Sequence, residues 1–151
     1  EVHGGAGSAV LDATGLPTFA ALAALKDVEV IRRAAKLTAR ELRALGVNWA
    51  LGPIGDLERE PSNPLLGARS FGLDAQRAAE WVVEWVDAVQ AEGVLACVRH
   101  FPGMGRAPGD PHLAPRAKSY KRRSTRVRAS CHAASPMLCC RAARQANCAR
   151  P

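Results

Sequence analysis

Gly93-Val94-Leu95-Ala96-Cys97-Val98 runs straight into Arg99-His100-Phe101-Pro102-Gly103-Met104-Gly105, with Asp110-Pro111-His112 close behind. The first half is a glycine followed by five apolar residues, which reads as a short strand buried on both faces. The second half is a Gly/Pro-rich loop that carries an Arg, two His and an Asp. Polar chemistry concentrates in such loops, because a rigid strand fixes their position. What precedes the strand is equally clear. Asp74 is a candidate N-cap, Val82, Trp85, Val86 and Val89 form one helical face, and Gly93 is a stop.

Upstream, the same grammar has already been used once. Residues 28–45 read as a helix capped by Asp27, with Ile31, Ala34, Ala35, Thr38, Leu42 and Leu45 on one face. Gly46 stops it, and Val47-Asn48-Trp49-Ala50-Leu51 reads as a strand. The two helix ends look alike: Ala44-Leu45-Gly46-Val47 against Ala91-Glu92-Gly93-Val94. Between the units, residues 52–72 read as a polar loop containing Pro53, Pro61 and Pro64. Residues 1–17 are Gly-rich and read as irregular. Helix, glycine, apolar strand and loop, used twice, is the pattern of a parallel α/β sheet or barrel. A full eight-stranded barrel needs roughly 250 residues. The 151 residues here hold part of one, or a smaller open sheet.

Charge divides the chain. Residues 1–112 carry 11 Lys/Arg against all 14 Asp/Glu, whereas residues 113–151 carry 10 Lys/Arg and no acid. The net charge of +7 therefore belongs entirely to the last quarter, which also lacks any apolar period and reads as disordered. A nucleic-acid arm is the minority reading of that segment, since Tyr120 is its only aromatic residue. Cys131, Cys139, Cys140 and Cys148 crowd there without zinc-type spacing. Cys97 alone lies earlier and reads as a buried, inert thiol. No apolar run approaches membrane-spanning length and no secretory signal is visible, so the expected compartment is the cytoplasm. The sequence sets no oligomeric state.

Three blocks, in order, resemble the N-terminal barrel domain of glycoside hydrolase family 3, in its bacterial β-N-acetylhexosaminidase branch. Residues 41–49 followed by Gly52-Pro53-Ile54-Gly55-Asp56-Leu57 resemble the family's helix, strand and APVLDV loop. Asn63-Pro64-Leu65-Leu66-Gly67-Ala68-Arg69-Ser70-Phe71-Gly72 resembles its NPVIGxRSFG block, and residues 93–112 resemble GVLACAKHFPGHGxxxxDSH. The resemblance covers residues 1–115 and implies an α/β fold, part of a TIM (β/α)8 barrel, with residues 116–151 as a basic tail. It implies hydrolysis of terminal β-linked N-acetylhexosaminides by a retaining route, as in muropeptide turnover, with an N-acetylglucosamine-containing glycan as the partner. A β-glucosidase-type member is the alternative. A non-catalytic fragment whose basic tail binds nucleic acid is the rival from another class. No metal and no organic cofactor is implied.

Carried over position by position, the resemblance makes Asp56, Arg69, Arg99 and His100 sugar contacts. Asp110 and His112 become a dyad in which His112 is general acid, then base. The chemistry is sound, because an imidazole titrates near neutrality and a neighbouring carboxylate orients it. Read without the blocks, His100 and His112 are ordinary loop histidines, Asp56 a turn former, Arg69 a surface ion-pair partner, and Trp81 and Trp85 packing residues. The chain departs from the family pattern at several points. Arg99 replaces a Lys, Met104 a His, Pro111 a Ser, and His3 stands where a Glu is usual. The family's nucleophile is an Asp well downstream of the dyad, and no Asp or Glu follows Asp110 here. A retaining route needs that carboxylate, so the 151-residue chain alone is expected to hydrolyse little or nothing. The acid-free tail has the composition of a GC-rich gene translated out of frame.

Overall fold

The structure, a computed structural model, describes residues 2–101 and 103–110. His112, Pro111, the four late cysteines and the basic segment 116–151 lie outside the described residues.

Among the described residues three helices and two strands follow one another: α1 (Phe19–Ala24), α2 (Val28–Ala44), β1 (Trp49–Ile54), α3 (Ala75–Ala91) and β2 (Leu95–Arg99), with short 3-10 turns at Ala6–Ser8 and Gly67–Arg69. β1 and β2 pair in parallel, with Trp49 opposite Leu95 and Ile54 opposite Arg99. This is the expected α/β architecture.

The repeated helix ends have one physical cause. Gly46 (φ 79°) and Gly93 (φ 80°) both occupy the left-handed region that glycine enters at least cost. Around Gly46 the Val47 N–H donates to the Leu42 carbonyl and the Gly46 N–H to Arg43. Around Gly93 the Val94 N–H donates to Val89 and the Gly93 N–H to Gln90. Both are Schellman closures, which satisfy helix-end carbonyls and turn the chain back towards the sheet. The N-termini match too. Asp27 accepts from the Glu29 N–H, and Asp74 accepts from the N–H groups of Gln76 and Arg77.

Several boundaries move from their expected positions. Leu45 is half exposed rather than on the core face, because it is the C-cap and the helical period has ended there. Each strand begins later than expected, since the Schellman closure consumes Val47 and Val94 before pairing starts with the Leu95 N–H on the Asn48 carbonyl. β1 also runs on through Gly52-Pro53-Ile54, which the sequence assigns to the polar loop. A bulge between Leu51 and Gly52, both opposite Cys97, carries the strand past the proline, which offers no N–H to the ladder. α1 is unexpected. It has only six residues and no period to read, and is capped by Thr18 and held by the fully buried Phe19.

The core lies between the helices and one face of the sheet. Trp85, at 1% exposure, meets Phe19 edge-on with centroids 4.8 Å apart, and Phe19 stacks on Phe71 at 4.6 Å. Trp85 is a packing residue, as its helical position suggests. Ala50, Ile54 and Val94 are buried. Ion pairs between Arg32 and Glu84 (2.7 Å) and between Arg40 and Glu92 (3.1 Å) join α2 to α3 and its cap. The opposite sheet face is open: Trp49, Leu51 and Leu95 are all more than a third exposed, and Cys97, expected to be buried, is only partly covered.

Candidate functional site

Parallel pairing places the ends of β1 and β2 at the same edge, so Gly55-Asp56-Leu57 and the loop from His100 onward leave the sheet side by side. The Gly55 N–H donates to the Arg99 carbonyl and begins the juxtaposition. Gly55 is small for a reason: a Cβ there would stand 3.0 Å from a Val98 methyl.

Asp56 is the hub. Its side chain is 1% exposed. Oδ2 accepts from the His100 N–H at 3.0 Å and lies 2.7 Å from His100 Nδ1, while Oδ1 accepts from the Met104 N–H. A carboxylate has about four acceptor sites, and three are used within the molecule. Gly103, at φ 117°, brings its backbone so close that a Cβ would sit 3.1 Å from Asp56 Oδ1. Asp56 thus gathers the first turn of the His100 loop around itself. The Arg99 Nη2 atom lies 3.2 Å from His100 Nε2, which adds the guanidinium to the same row. The 99–100 peptide bond is cis.

A second layer fixes the hub. Ser70 Oγ is fully buried and donates to the Asp56 carbonyl at 2.7 Å, while accepting from the Gly72 N–H. Asn63 is 5% exposed and bridges two segments: Nδ2 donates to the Met104 carbonyl at 3.0 Å, and Oδ1 accepts from the Leu65 N–H at 2.9 Å. The Arg59 N–H donates to the Gly105 carbonyl. Gly105 packs so tightly on Leu57 that a side chain there would collide with the Leu57 carbonyl. Arg69 donates from Nη1 to the Leu65 carbonyl at 2.7 Å, tying it to the same 63–72 segment.

The structure therefore brings Asp56, Arg99 and His100 into one hydrogen-bonded row and sets Arg69 on the segment that braces it. Asp110 is at the end of the described loop, and His112 lies beyond it. Sequence reading missed Asn63 and Ser70 as functional supports. Both lie inside the Asn63–Gly72 block, and a small polar residue in an otherwise apolar, Gly/Pro-punctuated stretch was the available signal. Among the described residues no group of three or more His, Cys, Asp or Glu is placed to hold a metal ion, and no helix is long and apolar enough to cross a membrane.

Residues 1–128 match the model of the glycosyl hydrolase family 3 N-terminal domain. The chain belongs to glycoside hydrolase family 3. A Cellulomonas fimi protein named beta-N-acetylglucosaminidase/beta-glucosidase is 43% identical over 113 residues, which is 75% of this chain and 20% of that protein. Beta-hexosaminidase LpqI of Mycobacterium tuberculosis is 32% identical over 96 residues, 64% of this chain and 25% of its own. Among solved structures, a family 3 beta-N-acetylglucosaminidase from Paenibacillus superposes with a TM-score of 0.63 at 41% identity, over 66% of this chain and 19% of that one. Beta-glucoside phosphorylase BglX superposes with a TM-score of 0.70 at 30% identity, over 74% and 20%. The chain spans about a fifth to a quarter of the length of these relatives.

Proposed function

We propose that this chain forms one wall of a saccharide pocket that cleaves terminal β-N-acetylhexosaminides. The observation that carries the reading is the Asp56–His100–Arg99 row at the shared end of two parallel strands, in a chain that belongs to a glycosidase family. Asp56, Arg69, Arg99 and His100 make the floor of the first sugar subsite. Asp110 and His112 follow on the same loop as the proton-shuttling dyad, in which His112 protonates the leaving oxygen and later takes a proton from the attacking acceptor, while Asp110 orients the ring.

The strand pair is read as two neighbouring strands of a (β/α)8 barrel. Two features support this: the chain's share of its relatives' length, and the apolar face that Trp49, Leu51 and Leu95 turn away from the helices. In a barrel that face points to the packed interior. A two-stranded sheet open on one face is marginal in water.

A nucleophilic carboxylate belongs to the retaining route, and residues 111–151 contain none. The purified 151-residue chain is therefore expected to bind N-acetylglucosamine saturably without turning over an aryl N-acetylglucosaminide. Titration calorimetry against the wild-type chain and Arg99→Ala tests this. Saturable binding that the substitution removes supports the pocket, and absence of any binding by the wild type overturns it. The names of the Cellulomonas fimi relative, beta-N-acetylglucosaminidase/beta-glucosidase, and of beta-glucoside phosphorylase BglX favour one second reading, a β-glucoside in place of the β-N-acetylhexosaminide as the substrate. Tighter binding of glucose than of N-acetylglucosamine in the same titration would favour it.

A further inference from the structure

The carboxamide of the buried Asn63 is used at both ends. Nδ2 donates to the Met104 carbonyl at 3.0 Å, and Oδ1 accepts from the Leu65 N–H at 2.9 Å. These partners fix which way the amide faces. Reversed, it would set an NH2 group against the Leu65 N–H and an oxygen against the Met104 carbonyl. Both partners lead onward. The Leu65 carbonyl accepts from Arg69 Nη1 at 2.7 Å. The Met104 N–H donates to Asp56 Oδ1, and Asp56 Oδ2 accepts from the His100 N–H. One side chain therefore stands between two halves of the proposed subsite, with Arg69 on one side and the Asp56–His100 loop on the other. The bond to Met104 serves place more than satisfaction. The Met104 carbonyl also accepts from the Ala107 N–H at 3.0 Å, so it keeps a partner when Nδ2 is removed. What goes is a tether across 41 positions of sequence.

We infer that Asn63 is a positioning residue of the saccharide pocket, which sets Arg69 and the His100 loop at a fixed separation so that both reach one sugar ring. The inference rests on the pocket proposed above, and its own content is the coupling between the two halves. An amide is what the place demands, because it donates and accepts at once. An ionised Asp has the same size and only accepts. If the sugar binds the arrangement that Asn63 holds, breaking the tether lowers affinity. Bound sugar must then hold the tether closed, by the reciprocity of linked equilibria.

Asn63→Asp in the full 151-residue chain separates the two arms. The carboxylate keeps an acceptor for the Leu65 N–H and loses the donor to Met104. Titration calorimetry with N-acetylglucosamine at pH 8, where the introduced carboxyl is ionised, should show affinity about 5- to 150-fold weaker than wild type, the usual span of coupling between sites. Hydrogen exchange followed by NMR should quicken at residues 103–107 while the Leu65 amide and both long helices stay protected. Wild-type affinity in a variant whose loop has been freed overturns the inference. Loss of protection at Leu65 along with affinity assigns the effect to the 63–72 segment itself and also overturns it. The reciprocal measurement needs no variant: saturating sugar should slow exchange of the Asn63 carboxamide protons and of the Met104 and Ala107 amides in the wild type. Exchange there that is indifferent to bound sugar overturns the inference alone, even if Asn63→Asp fails to fold. A wild-type chain that binds no sugar takes down the pocket reading and this inference with it.

Discussion

The two helix–glycine–strand–loop units share caps, closures and register, yet their loops do opposite things. After β1 the loop turns inward and buries a carboxylate. After β2 the loop stays at the surface, with His100 partly covered and Phe101 78% exposed. One loop is the anchor and the other is the presented surface. A charged residue at a strand end is therefore not by itself a substrate contact. Asp56 directs three of its roughly four acceptor positions to groups inside the protein, so it shapes the second loop as well as flooring the proposed subsite.

The sharpest way to break that comparison is to remove the anchor. Asp56→Ala leaves the His100 N–H, the Met104 N–H and the His100 ring without their acceptor, and each unsatisfied buried group costs about 1–3 kcal/mol. A loss of at least ~3 kcal/mol is expected in denaturant unfolding, with faster amide exchange at residues 100–105. If the loss is no larger than that of an ordinary surface substitution, ~0.5 kcal/mol, Asp56 is not the hub. Asn63→Ala ranks next. It takes one donor from the Met104 carbonyl, which keeps the Ala107 N–H, and leaves the Leu65 N–H without its acceptor, and the expected loss is about 1–3 kcal/mol. Exchange should accelerate at residues 103–107, while α2 and α3 keep their protection. Uniform acceleration across the helices would show that Asn63 supports the whole fold rather than the second loop.

Much of this arrangement was legible in the sequence. Asp27, Asp74, Gly46 and Gly93 punctuate both helices in the way their chemistry demands, and the period of α2 and α3 names most of the buried residues. The family blocks located Asp56, Arg99 and His100. Strand bounds were not legible, because a Schellman closure and a bulge are hydrogen-bond patterns without a residue signature of their own. Nor was the direction in which Asp56 faces. An Asp after a strand looks the same whether it points outward or gathers a loop, and what turns it inward is Gly103 and Gly105, 47 and 49 positions away. Long-range backbone approach of that kind leaves only glycines in the sequence, and glycines have many other uses.

The smallest expected effect lies at the seam between the units. Glu92, the C-cap of α3, pairs with Arg40 of α2, and the hydrogen bond from that guanidinium holds its carboxyl below the usual carboxylate range. A carboxyl whose folded pKa is depressed stabilises the fold above its unfolded value, about 4.3 for Glu. That contribution is fully present at neutral pH and is lost as pH falls from the ordinary range through the lower folded value. Glu92→Gln removes the titration, so the variant should be slightly less stable than wild type at pH 7. The gap should close progressively once pH drops below the unfolded value. Because both side chains are solvent-accessible, salt screens the pair, and the gap at pH 7 should also narrow at high ionic strength. A gap that persists unchanged at low pH would mean that Glu92 acts through its cap geometry and its carbonyl, which accepts from Arg43 at 2.9 Å, rather than through its charge. The two units would then be joined chiefly by the buried contacts of α2 and α3.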